Sequence, residues 1–296
     1  MNATPQTFMK KSILPVPVAA AGRFSHYIYC ARASFGHSLM LMLRRQRLIL
    51  AAVITMLPVA IPLAIAFLGS THITEAGDDV FARMAREAHI NVLAPLLALF
   101  FATMIVGEDV ETRTIPLMLT RPMPRSAWVF GRYAAYLLVT ATILGASIFL
   151  TFAACTALPD LAFNGDGLWR LATHEFAMFM ALAANGAFAL FLGSVTRRPI
   201  IIGVLALYGW QRIAVMVPGI VDFMTIIKYT NALLPTGVQA TNTAMQQDLL
   251  AFQRQVYAVG ATKAALMLVA ISVVFLVASV VVVRFREYAS DRAAGM

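Results

Sequence analysis

Apolar residues in this chain gather into long continuous runs, separated by connections that hold most of the charge. A helix gains about 1.5 Å per residue and the hydrocarbon core of a bilayer is about 30 Å thick, so about 20 apolar residues make a span. Six runs meet this measure: LILAAVITMLPVAIPLAIAFL over 48–68, INVLAPLLALFFATMIVG over 90–107, YAAYLLVTATILGASIFLTFAACTAL over 133–158, FAMFMALAANGAFALFLGSV over 176–195, a stretch opening with PIIIGVLALYGW over 199–218, and AALMLVAISVVFLVASVVVV over 264–283. Barrel strands would alternate apolar and polar residues at period two, and these runs do not. The pattern predicts an all-α integral membrane protein with six transmembrane helices and a membrane domain over 48–283.

Composition supports this reading and charge orients it. The 296 residues are 60% hydrophobic and 12% charged, with a mean hydropathy of +0.78, which excludes an ordinary soluble domain. Sixteen of the 23 Lys and Arg residues lie in 1–47, 108–132, 196–198 and 284–296, against six in 69–89, 159–175 and 219–263. Positive charge stays on the cytoplasmic side, so both termini are predicted there. Topology alone then accounts for the net charge of +9, with no nucleic-acid partner. Residues 1–22 read as a flexible cytoplasmic tail and not a cleaved signal, because cleavage would export Arg44, Arg45 and Arg47; residues 284–296 form a second tail. Cys30 and Cys155 fall at opposite sides of the membrane and are not expected to pair.

Ahead of the first span, Phe24, Ile28, Ala31, Phe35, Leu39 and Met42 recur at steps of three and four, with Arg23, His26, His37 and Arg44 on the other side. This predicts an amphipathic helix over 23–47 lying on the inner membrane surface, ended by RRQR at the water boundary. The middle of the longest outer connection, 219–263, reads TGVQATNTAMQQDLLAFQRQV and predicts one or two short helices on the outer face.

Titratable side chains buried in a bilayer mark proton relays and intramembrane enzymes, and the predicted spans carry none in their interiors. HEFAM at 174–178 begins like a zinc motif but has Met178 where the second histidine belongs. His72, His89 and His174 read as scattered outer-surface residues, and no GxxxxGK[ST] phosphate loop occurs. Two polar points remain as candidate pathway residues. Asn185, beside Gly186 in the fourth span, either lines a pathway or serves helix packing. Arg212, near the outer end of the fifth, either snorkels to the interface with Trp210 as anchor or lies in a watery cavity.

The most charged connection reads GEDVETRTIPLMLTRPMPRSAWVFGR over 107–132. Acids come first, then a short segment with Leu117, Met118 and Leu119, then a turn stiffened by Pro122 and Pro124. It suits either docking into a groove on another protein or a salt-bridged connection between spans. The succession of Glu108, Arg113, Thr114, Ile115, Leu119, Thr120, Arg121, Pro122, Arg125, Gly131 and Arg132 resembles the motif of permease subunits of ABC exporters of the ABC-2 type. Met118 stands where that family usually has Leu, and Arg132 where it usually has Lys. Six spans, cytoplasmic ends and an amphipathic helix before the first span resemble the same family.

The resemblance implies a non-enzymatic permease in a prokaryotic inner membrane. Two such chains, identical or sister, would pair and rest on a separate cytoplasmic ATPase, which would bind ATP and Mg; the permease itself would bind no cofactor. It assigns coupling to the ATPase to Glu108, Glu111, Arg113, Thr114, Leu117, Leu119, Arg121 and Arg125. The competing readings are an ATP-independent secondary carrier and a membrane scaffold.

Overall fold

The computed structural model describes residues 23–68, 76–104, 124–196, 198–216, 220–234 and 259–285. Among them every regular element is helical, as the hydropathy pattern predicts. α1 (Arg23–Met42) breaks at Leu43 and Arg44 before α2 (Arg45–Leu68). α3 (Gly77–Ala102), α4 (Arg125–Cys155) and α5 (Gly165–Val195) follow. The chain continues with α6 (Pro199–Trp210), α7 (Gln211–Met216), a 3-10 turn over Ile220–Met224, α8 (Ile226–Ala232) and α9 (Ala261–Phe285).

Five of these, α2, α3, α4, α5 and α9, are long and apolar enough to cross a membrane, so the chain is a multi-pass membrane protein. The span expected over 199–218 is instead the shorter helix α6, which leads directly into α7. Pro199 opens it at a position where the missing amide costs nothing, and Pro218 follows Met216 closely in the sequence.

The expected starts of two spans move outward along the chain. α3 begins at Gly77 and not at residue 90, and α5 at Gly165 and not at 176. At 26 and 31 residues these helices are about 39 and 46 Å long, longer than the hydrocarbon core. Their added turns are polar, and helical structure survives there because the polar groups find each other. Asn164 caps α5 by accepting a hydrogen bond from the Gly167 amide at 2.7 Å, Asp166 sits in the first turn, and Arg170 forms an ion pair with Asp78 of α3. The Gly77 amide also donates to the Pro159 carbonyl at 2.7 Å, fastening α3 to the end of α4.

α4 is the hub, packed against α1, α2 and α5, while α5 also carries most of the packing of α9. Two close approaches explain two glycines. A Cβ on Gly131 would run into the Ala31 carbonyl and lie 2.9 Å from Ser34 Cβ, so α1 and α4 touch backbone to backbone. A Cβ on Gly186 would overlap the Tyr136 ring, which fills that notch and donates to the Leu182 carbonyl at 3.0 Å. Small residues at such crossings are how membrane helices gain dispersion contacts without a hydrophobic driving force.

The face α1 buries overlaps the stripe of apolar residues in its sequence only toward its end, where Met42 is buried and Phe35 and Leu39 pack against the core. Cys30, Ser34, Ser38 and Met42 are buried, whereas Phe24 and Ile28 are exposed. At the Gly131 crossing α1 approaches α4 too closely for a large side chain, which is why Ser34 faces it. Cys30 and Cys155 are both free thiols, as expected, and burial holds Cys30 above the ordinary thiol range.

Candidate functional site

One end of the bundle holds the beginning of α4, and the sequence motif closes there. Pro124 has extended backbone angles, so Arg125 becomes the first helical residue. Its guanidinium Nη1 donates to the Val283 carbonyl at 2.9 Å and also to the Arg284 carbonyl, both in the last turn of α9. One turn further along α4, Ser34 of α1 donates to the Trp128 carbonyl at 2.9 Å. Arg132 is buried, with its guanidinium carbon 4.2 Å from the centroid of the Trp128 ring. Motif residues Gly131 and Arg132 thus have physical work: one permits the α1 crossing, the other places a cation beneath it. Glu108, Glu111, Arg113, Thr114, Leu117, Leu119 and Arg121 lie outside the described residues.

Midway along the bundle the structure gathers a polar node that the sequence reading missed. His89 is fully buried; its Nε2 lies 2.9 Å from Ser147 Oγ and 3.3 Å from Thr151 Oγ1, and its Nδ1 lies 3.1 Å from the Met84 carbonyl. Ser147 Oγ in turn donates to the Thr55 carbonyl of α2. Three spans therefore meet through one imidazole. The expectation that His89 and His174 are surface residues is corrected: His89 is 0% and His174 3% exposed, both inside helices. Glu175 also falls within α5, so the expectation of spans without titratable groups does not hold. The physical cause is that α3 and α5 extend beyond their apolar cores, so residues just outside the run of apolar residues remain within the packed bundle. His72 lies outside the described residues.

The backbone around His89 is wide-turned. Met84–Leu93 is a π-helix, as are Ala98–Ala102 and, in α6, Leu205–Trp210. π turns leave carbonyls available for outside donors and occur often at functional sites. Here Tyr208 donates to the Val92 carbonyl at 2.6 Å, tying the α6 π turn to the α3 π turn. The spacing of Ser147 and Thr151, four residues apart on α4, was the available sequence signal for a hydroxyl face; nothing in the residue pattern marked the π turns.

Asn185 is 3% exposed and its Nδ2 donates to the Ala181 carbonyl at 2.8 Å, one turn back on its own helix. With Gly186 receiving Tyr136 beside it, and Tyr133 donating to the Ala183 carbonyl at 2.8 Å, its surroundings are those of a packed crossing between α4 and α5. Arg212 lies on α7 next to Gln211, whose buried side chain accepts from the Ile227 amide at 3.3 Å at the start of α8. α8 lies in the described 220–234 part of the long 219–263 connection, with Thr225 as its cap and with Ile226, Ile227, Tyr229 and Thr230 buried; the middle of the connection, where short helices are expected, lies outside the described residues. The Lys228 ammonium lies 3.5 Å from the centroid of the Phe223 ring. It packs against α5 and α9.

Among curated proteins no relative matches this chain. A family model described as "ABC-2 family transporter protein" matches residues 40–209, from the end of α1 to the π turn of α6 and across the charged connection. That is more than half of the sequence, and the helical membrane architecture agrees with it: the chain belongs to the ABC-2 family of ABC transporter membrane proteins, the permeases.

Proposed function

We propose that the chain is the permease subunit of an ATP-driven exporter, six-spanning with both ends in the cytoplasm of a prokaryote and inserted in its inner membrane. It works as a pair with a second permease and is moved by a separate ATPase that binds ATP and Mg. The family match carries this reading, because it runs through the 107–132 connection whose residues resemble the ABC-2 coupling motif. Basic residues concentrated in 1–47, 108–132, 196–198 and 284–296 support the orientation. With α6 and α7 taken together as a crossing element, the count returns to six.

In this reading the ATPase docks on the segment from Glu108 to Arg125. Arg113 and Arg121 meet acidic groups on it, Leu117 and Leu119 fill an apolar groove, and Thr114, Glu108 and Glu111 brace the segment. α1 forms a second support against the inner membrane surface, its exposed Phe24, Ile28 and Tyr29 turned to lipid. The substrate passes between the paired chains. The carrier and scaffold readings lose ground because neither explains a match to this family.

The reading is tested by reversing Arg113 to Glu in the full chain, leaving Arg125 intact because its guanidinium is bonded to α9. The expected outcome is a normally inserted protein that no longer retains, or no longer stimulates, a co-purifying ATPase. Full retention and stimulation in the variant would remove the coupling role from this segment.

A further inference from the structure

We propose that Arg125 is a positioning residue that locks α9 at Val283 and Arg284 to the amino end of α4, so that the two helices move as one body there. The inference deepens the reading above, since the locked end of α4 is the end at which the 108–125 segment delivers its push. Three observations carry it.

The first is where the guanidinium goes. Arg125 is half-buried, and among the described residues its side-chain hydrogen bonds run to two main-chain carbonyls, Val283 at 2.9 Å and Arg284, and to no carboxylate. The second is electrostatic. As the first residue of α4, a cation stands at the positive end of its own helix dipole, where it is unfavourable, and the α9 carbonyls it reaches supply the favourable partners. The position makes sense as a tie to the neighbouring helix and not as part of its own. The third is topological. α9 packs mainly along α5, where Phe188 and Phe275 meet edge-on at 5.0 Å, and touches α4 over a much shorter stretch. Two charge-assisted bonds therefore strengthen the hold of α4 on α9 beyond that short contact.

The consequence is a division of roles among the basic residues of the motif. Both bonds leave from Nη1, which the planar guanidinium holds in a fixed orientation between the two carbonyls, whereas an ammonium on a flexible stem is a point charge. A lysine at 125 keeps the charge beside the two α9 carbonyls and restores part of the lock, while a glutamine loses it.

The experiment places spin labels on Ser126→Cys and Phe285→Cys, with Cys30→Ala and Cys155→Ala, in the full chain in lipid nanodiscs. Pulsed-dipolar distances are then compared for Arg125, Arg125→Gln and Arg125→Lys. The lock predicts one narrow distance for Arg125, an outward shift with broadening for Arg125→Gln, and a return toward the narrow distance for Arg125→Lys. Identical distributions in all three overturn it, as does a broad distribution in the chain with Arg125. If the Gln variant fails to insert, Arg125→Met takes its place, and a distribution as narrow as that of Arg125 overturns the lock. Repeating the measurement with the co-purified ATPase, with and without ATP and Mg, separates the two claims. If ATP moves the bundle while Arg125→Gln leaves the labels as narrow as before, the lock is wrong and the exporter reading stands. If the lock holds but no ATPase co-purifies, the exporter reading is the one that fails.

Discussion

α2 and α5 are both apolar helices long enough to span, yet 22% of the most apolar window of α2 is buried within the protein against 67% for α5. The helix with more exposed surface is the more apolar one. In a soluble protein that relation would be reversed; here the solvent is hydrocarbon, and a helix turned to lipid has no polar face to spare. α5, screened by α3, α4 and α9, can carry Asn185, His174, Gly186 and Gly193 because other helices and not lipid surround them. α9 sits with α2 on the lipid-facing side of this divide, with Val274 and Val277 among its exposed residues and its serines bonded back to its own carbonyls. Peripheral helices are thus specified by uniform apolarity, and central ones by particular side chains at particular crossings.

Substitutions of similar size should therefore have very unequal effects in the two regions. The largest is expected at Gly131→Val, because the new atoms meet main-chain atoms of α1 that cannot rotate away. It should cost about 3 kcal/mol and release α1 from α4. A thermal melt in detergent together with limited proteolysis between α1 and α2 checks both parts, and an unchanged melt would show that α1 does not depend on this crossing. Gly186→Ala should come next at about 2 kcal/mol, since the Tyr136 ring must leave its notch and its bond to Leu182. The double variant Gly186→Ala with Tyr136→Phe should recover little, because the clash is with the ring and not the hydroxyl.

His89→Ala removes the bonds that join α3 to Ser147 and Thr151. The two hydroxyls keep other acceptors, Thr55 for Ser147 and the Ser147 carbonyl for Thr151, so the loss should be about 1 kcal/mol. A shift in melting temperature as large as that of Gly131→Val would mean that the node bears more of the fold than its bonds suggest. Smallest of all, Val274→Leu on α9 should change stability by less than about 0.5 kcal/mol, because that side chain is 63% exposed and meets lipid. A clear destabilisation there would place the α9 face against protein and sharpen the case for pairing along it.

This contrast also explains what could be read from the residues alone. Peripheral helices announce themselves: α2 and α9 begin within a few residues of their apolar runs, since hydropathy is the quantity that specifies them. Central helices do not. α5 starts eleven residues before its apolar run, and its start is set by the Asn164 cap and the Arg170–Asp78 pair, which are local and tertiary features invisible to hydropathy. His89 was misplaced for the same reason, standing one residue outside an apolar run that begins at Ile90 while the helix around it had already run for three turns. The motif ending in Gly131 and Arg132 was recognisable as a pattern, but its reasons, a backbone crossing with α1 and a cation over Trp128, required the neighbour helix to be in place. Arg125 shows the limit most clearly. Its partners are carbonyls 158 and 159 residues away, and main-chain acceptors leave no mark in a sequence.

The central claim is that this permease is driven from outside itself, through the charged connection, by an ATPase it does not contain. The most direct measurement is purification of the tagged full chain in mild detergent, with mass spectrometry of what accompanies it and an ATPase assay of the purified material. The account predicts a stoichiometric nucleotide-binding subunit, with hydrolysis that is lost together with that subunit in Arg113→Glu. A chain that purifies alone from its native membrane, with no ATPase activity in any preparation, would contradict it.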